Sequence, residues 1–407
     1  MMNKFSFLRI ISVLTILLFL SCNDDTIEDL DTNNNIDTDN ETSELVTLNT
    51  WKLAHGSGNS NAYSIGIIFE VKDKNQTDAS FEKLIDEMVG NGDFSLFKTQ
   101  PFDKNKEKFN VYYAILSKSR DQNSYPFSKE ELTNMRDKAG KYFSKNKQLF
   151  FGAKEPKDAN NFMQNMASTV GFDFSKTDQI FSYADGFSLD NTSTTPNQKN
   201  IIQRNLNRFD NLFNQKQFNT QVYISPGVGQ AYANTSDKIK KVYMSYEDYS
   251  LAKLVSSDLI HQNMLAITFT HEFGHAFALF GDEYYDYEPN FSFVSLKFQN
   301  NVVNQGFDFN NKQFDANNTT SNPWIASKVP VLIRENNGQG VYEFTSGPIP
   351  NYNGQLVKGG PGGYGGYRAS DNSIMRFYMF INTPNDWVHG WNAVQQFYIN
   401  YFINKIN

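Results

Sequence analysis

Cysteine is nearly absent from this sequence, with one residue in 407, and histidine is scarce, with five. A single cysteine excludes a disulfide framework. Positive charge is also short, 37 Lys and Arg against 44 Asp and Glu, which argues against nucleic acid as a partner, because phosphate binding needs a basic face. No apolar run reaches the roughly 20 residues that a membrane-spanning helix requires. What the length does permit is a large core, since a chain of this size has room for about two to three domains of ordinary length.

The net charge of −7 is unevenly placed. Residues 1–22 carry Lys4 and Arg9 and no acid, residues 23–45 carry nine acids and no base, and the remainder holds 35 of each sign. A neutral body therefore follows a short acidic leader. Ahead of that leader, Lys4 and Arg9 precede or flank an eleven-residue apolar run, Ile10 to Leu20, that ends in Ser21 and Cys22. Charged start, short apolar stretch and small residue at the end are the parts of an export signal. The segment resembles a bacterial lipoprotein signal, which implies that Cys22 is acylated and becomes the new N-terminus, anchored to the outer membrane. Residues 23–45 have too little apolar content to repay the entropy of ordering and read as a disordered tether. Asp24 and Asp25 look like the acidic export tags of surface-exposed lipoproteins, and a plain solvated spacer accounts for them equally well.

From Val46 the composition becomes globular. Residues 62–71 and 108–116 read as buried strands, 80–88 as a helix with Phe81, Leu84, Ile85 and Met88 on one face, and 200–213 as another helix. Further helices are expected at 129–143 and 160–169, and short strands at 221–224 and 241–244. Strands alternating with helices predict an α/β fold with a mixed, twisted sheet. The expected organisation is an α/β part over 46–286 that ends in an active-site helix, then a smaller C-terminal subdomain over 287–407.

The chemistry concentrates in one helix that starts near Ser257 or Asp258. It contains His271-Glu272-Phe273-Gly274-His275. At 3.6 residues per turn the two histidines stand one above the other, so both imidazoles can reach one zinc ion, while Glu272 is rotated about 100° and stands beside the metal as a general base. A catalytic zinc usually takes three protein ligands and leaves a place for water. Asp282 is the first choice for the third ligand, provided that Gly281 breaks the helix in a left-handed conformation and turns the chain back. Glu283 is its substitute, and Glu335 and Glu343 are more distant alternatives.

The segment HEFGHAFALFGDEYYD resembles the active-site region of the IgA-peptidase family of zinc metallopeptidases, family sixty-four of that class. Pro101-Phe102 with Phe109 to Tyr112 and Ser117, and Tyr367-Arg368 through Asn372 to Arg376, are similar to two further family segments. The resemblance implies a metzincin-like zinc peptidase, with His271, His275 and Asp282 as ligands, Glu272 as general base, and Met375 as a methionine packed under the metal. Many relatives carry cysteines around that methionine, whereas this chain has Ser373, so its C-terminal part must rely on packing. The implied substrate is a secreted or host polypeptide, immunoglobulin A by name of the family, cleaved by a monomeric enzyme.

Other features are less specific. The run Gly359 to Gly366 reads either as a loop closing over substrate or as a surface linker. His55, His261 and His389 read as structural histidines. Two other functions fit parts of the sequence: a non-catalytic surface lipoprotein that binds glycans or peptides, and a structural zinc protein with a closed four-ligand site.

Overall fold

The computed structural model describes residues 51–71, 76–116, 196–229 (apart from 215), 231–235, 239–248, 258–281, 283, 322–334, 340–358, 367–375 (apart from 371) and 383–406, with a few scattered positions between 134 and 165. In chain order the strands and helices are β1 (Lys52–His55), β2 (Tyr63–Glu70), α1 (Asp78–Val89), β3 (Phe109–Leu116), α2 (Pro196–Phe213), β4 (Thr220–Gly229), β5 (Tyr232–Asn234), β6 (Lys240–Asp248), α3 (Asp258–Ala278), β7 (Lys328–Arg334), β8 (Gly340–Ser346), β9 (Val357–Lys358), β10 (Tyr367–Arg368), α4 (Pro384–Val388) and α5 (Ala393–Ile403). Short 3-10 turns at Leu96–Lys98, Phe102–Lys104 and Lys106–Lys108 lead into β3. The helices expected at 129–143 and 160–169, the export signal, the tether and the glycine run lie outside the described residues.

The fold is mixed α/β. Six strands form one sheet in the order β1-β3-β2-β4-β6-β5. The four inner strands are parallel, and both edges, β1 and β5, run antiparallel to their neighbours. Period-two alternation sorts the side chains between two faces. Ile65, Ile67, Phe69, Val111, Tyr113, Ile115, Val222, Ile224, Val242 and Met244 share one buried cluster with α1 and α3. Ile68, Leu116, Tyr223 and Tyr243 share the other with Phe209, Leu212 and Phe213 of α2. Because helices cover both faces, the inner strands are apolar on both sides and stand out in the sequence as continuous runs.

Helix α1 begins at a capping box, in which Thr77 accepts from the Ser80 backbone N–H and Ser80 Oγ accepts in return from that of Thr77. It buries Phe81, Ile85, Met88 and Val89 against the sheet. The C-terminal elements dock on the turns that precede β3. Trp387 Nε1 donates to Ser95 O at 2.9 Å, Trp391 Nε1 donates to Thr99 Oγ1 at 3.1 Å, and Gln100 N donates to Val388 O at 3.0 Å. The β7–β8 hairpin is tied to α5 by Tyr398 Oη, which donates to Pro330 O at 2.7 Å. Residues before 286 and after 287 thus contribute to the same continuous core, with Trp324, Met375 and Trp391 packed in one cluster with Ile65 and Phe273. Among the described residues no helix is long and apolar enough to cross a membrane.

Candidate metal centre

Helix α3 is buried on all sides where it carries the motif, as expected of a helix inside a core. Phe269, Phe273 and Phe277 recur every four residues and stack at 5.8 and 5.3 Å, and they meet Phe102, Phe109 and Tyr63 on the sheet side. His271 lies two residues, about 200°, from both Phe269 and Phe273 and so faces away from the sheet. His275 follows one turn later, and the rings approach at 4.8 Å between centroids with their planes 82° apart.

The hydrogen bonds of the two rings fix their protons. His271 Nδ1 lies 2.8 Å from Ile374 O and His275 Nδ1 lies 2.6 Å from Phe280 O. A carbonyl oxygen only accepts, so each Nδ1 carries a hydrogen, and in the neutral ring each Nε2 then presents a lone pair. The two Nε2 atoms face each other at 3.1 Å. Two lone pairs at that distance repel unless a cation lies between them, either a shared proton or a metal ion. Nitrogens bound tetrahedrally to one zinc at 2.0–2.1 Å would be about 3.3–3.4 Å apart, so the observed spacing fits a metal. Backbone carbonyls on the far nitrogens are the usual way in which ligand histidines are oriented.

The carboxylate of Glu272 joins this group. Its oxygen and the histidine nitrogens all lie within 4.8 Å of one another, within the reach of one intervening water. His271, Glu272 and His275 are 0%, 2% and 0% exposed. The three together can hold a metal ion, and the histidine donors suit zinc among several divalent ions.

The end of α3 departs from the expectation. Leu279, just past the helix, is left-handed, at φ 56°. The helix stops at Ala278, three residues before Gly281, in a left-handed turn where Leu279 N donates to His275 O at 3.1 Å and Phe280 N donates to Gly274 O at 3.4 Å. Leu279 is buried, so its side chain holds a backbone conformation that glycine would adopt more readily. The turn has a purpose at the site. It brings Phe280 O back onto His275 Nδ1.

Asp282 lies outside the described residues. Glu283 is fully buried and takes no part in the His271, Glu272 and His275 group. Its Oε2 accepts from Ser373 Oγ at 2.7 Å and its Oε1 from Gln395 Nε2 at 3.0 Å. Glu343 is an exposed residue on β8 that accepts from Tyr401 Oη at 2.6 Å, and Glu335 lies outside the described residues. Met375 is buried against the motif helix. A Cβ on Gly274 would meet Met375 Sδ at 2.8 Å and Trp391 Cη2 at 2.7 Å, so the glycine inside the motif is what lets both approach. His55 Nε2 lies 2.9 Å from Lys106 O and its ring packs on Phe97 at 4.5 Å, away from this centre. His389 is exposed at the end of α4, and the side chain of His261 lies outside the described residues.

Ser373, Gln395, Ile374 O and Phe280 O were not legible as site elements. Backbone carbonyls carry no residue identity, and Gln395 looks in sequence like any polar residue of a helical stretch. Compared with protein-family models and with curated protein sequences, the chain matches none.

Proposed function

We propose that the chain is a zinc-dependent endopeptidase of metzincin-like type that cleaves secreted or host polypeptides and is held at the bacterial outer membrane through a lipid on Cys22. The observation that carries this reading is the pair of Nε2 atoms converging at 3.1 Å with a carboxylate beside them. His271 and His275 would hold the ion, with Asp282 as the third ligand. Zinc bound there supplies a Lewis acid, which acidifies water and polarises a carbonyl. Glu272 takes the proton of the attacking water on its carboxylate and delivers it to the leaving amine nitrogen. A peptide has somewhere to lie, since β5 is the last strand of the sheet among the described residues and packs beside α3. An extended chain can pair with a sheet edge of that kind.

The deep burial of all three residues favours a second reading, a closed structural metal site. One experiment separates the two. The full chain in detergent is assayed for metal content and incubated with a peptide library, with and without a chelator, and cleavage sites are read by mass spectrometry. The peptidase reading expects about one zinc per chain, chelator-sensitive cleavage, and a Glu272→Gln variant that keeps its zinc and loses cleavage. Zinc without cleavage in the wild type establishes the structural site instead. A Glu272→Gln variant that cleaves at the wild-type rate removes Glu272 from the mechanism.

A further inference from the structure

Glu283 was a candidate ligand in the sequence, and its surroundings give it other work. The two carbonyls that orient the histidines come from separate segments. Phe280 O belongs to the stretch that follows α3, and Ile374 O to the stretch that carries Met375. Glu283, in the first stretch, is bonded to the second at two points and to α5 at a third. Its backbone N donates to Met375 O at 2.7 Å, Ser373 Oγ donates to one carboxylate oxygen, and Gln395 Nε2 donates to the other. Gln395 Nε2 is also 3.2 Å from Ser373 Oγ, closing a ring of three side chains, each 0% exposed.

The amide of Gln395 cannot turn round at no cost. Its Oε1 accepts from Asn392 N at 3.1 Å as part of the capping box that starts α5, so the NH2 is the end left facing Glu283. Donors on both of its oxygens hold the Glu283 carboxylate at both ends.

We propose that Glu283, with Ser373 and Gln395, is a positioning clamp for the metal centre: it fixes the two carbonyls that hold His271 and His275 with both Nε2 lone pairs turned inward. The inference rests on the metal-site reading and adds the part of the structure that presets it. Removing the partners that orient ligand histidines typically weakens metal binding about 10–100-fold.

The test uses the full chain in detergent, stripped of metal and titrated with Co2+, whose visible absorption reports both affinity and a tetrahedral nitrogen-bearing site. Far-UV circular dichroism of each variant follows the fold. Glu283→Gln leaves one acceptor oxygen where two donors point, so its NH2 meets either the NH2 of Gln395 or the hydroxyl of Ser373, and it is expected to weaken Co2+ binding by about 10–100-fold. Adding Gln395→Glu restores one acceptor facing one donor and is expected to recover most of the affinity, which a merely structural role for Glu283 does not foresee. If Glu283→Gln does not fold, Ser373→Ala decides, since it removes a single hydroxyl donor. It should bind Co2+ more weakly than wild type, and Ser373→Thr should bind nearly as well. A folded Glu283→Gln, or in its place Ser373→Ala, with wild-type affinity and spectrum overturns the clamp while leaving the metal site standing. A wild-type chain that takes up no Co2+ overturns the metal site and the clamp together.

Discussion

Gly274 decides how close the C-terminal segments come to the motif helix α3. In an exposed helix, replacing glycine by alanine gains up to about 1 kcal/mol, because glycine loses more freedom on folding. Here the added Cβ would lie 2.8 Å from Met375 Sδ and 2.7 Å from Trp391 Cη2. Trp391 is anchored through Nε1 to Thr99 and is 1% exposed, so it has little room to retreat. Overpacking of this kind costs about 1–3 kcal/mol. The clash should therefore outweigh the propensity gain, and Gly274→Ala is expected to lower the urea midpoint. A midpoint raised by the substitution would mean that Met375 and Trp391 do not press on this helix. At this scale the histidine pair and Glu272 were legible in the sequence, because a spacing of four residues is a statement about direction on a helix. What polarises the histidines was not. Ile374 O reaches His271 across 103 residues, and nothing about residue 374 announces a carbonyl in use.

Helix α3 ends where its sequence gives no sign of ending. Glycine at 281 offers the expected break, yet the chain turns at Leu279, where the burial of the leucine and the bond that His275 Nδ1 donates to Phe280 O together offset the cost of a left-handed leucine, about 1–2 kcal/mol. Two truncations separate these terms. Leu279→Ala and Leu279→Gly lose almost the same side-chain packing, but only glycine is free of the left-handed penalty. Leu279→Gly is expected to be the more stable of the two by about 1 kcal/mol in urea unfolding, the reverse of their order inside a helix. If alanine proves the more stable, the left-handed turn is not what ends α3. Elements with a clear apolar period or run were legible, and β2, β3, β4, β6, α1 and α2 fall where the pattern places them, give or take a few residues. The edge strands β1 and β5 were missed because four and three residues leave too little pattern to read. Helix α5 was missed because AVQQFYINYFI is apolar almost all round, which is how a helix reads when it is buried on most sides.

The molecule beyond residue 45 is neutral by count, so its stability near neutral pH owes little to net charge, and the groups that tie its layers together are largely uncharged. Several are tyrosines. Tyr63 packs edge-on to Phe277 of α3 at 5.0 Å while its hydroxyl bonds Thr220 Oγ1 of β4 at 2.7 Å. Tyr246 Oη donates to Glu70 O at 2.9 Å, joining β6 to β2. Tyr352 accepts from Asn322 Nδ2 at 3.0 Å and donates to Gln355 O. Burial raises the pKa of all three above the ordinary value, with the charge of Glu70 adding to the effect at Tyr246. Tyr352 is pushed up to about 12, its bond with Asn322 working the other way. An unfolded chain gives up these protons near pH 10, whereas the folded chain keeps them. Stability from the three is therefore complete below about pH 10 and is lost as the pH rises through 10 towards 12 and beyond. The loss is at most on the order of 1 kcal/mol per pH unit for each of Tyr63 and Tyr246, and smaller for Tyr352, whose shift is smallest. The urea midpoint should stay level from pH 8 to 9.5 and then fall steeply towards pH 11, and absorbance at 295 nm should show a group of tyrosines in the folded chain that ionises late. Tyr63→Phe is expected to lower the midpoint at pH 8, since it removes the bond to Thr220, and to make the alkaline fall shallower, since it removes a proton that only the folded state retains. An equally steep fall in Tyr63→Phe would mean that Tyr63 is not among the groups that keep their protons when the sheet and α3 are packed.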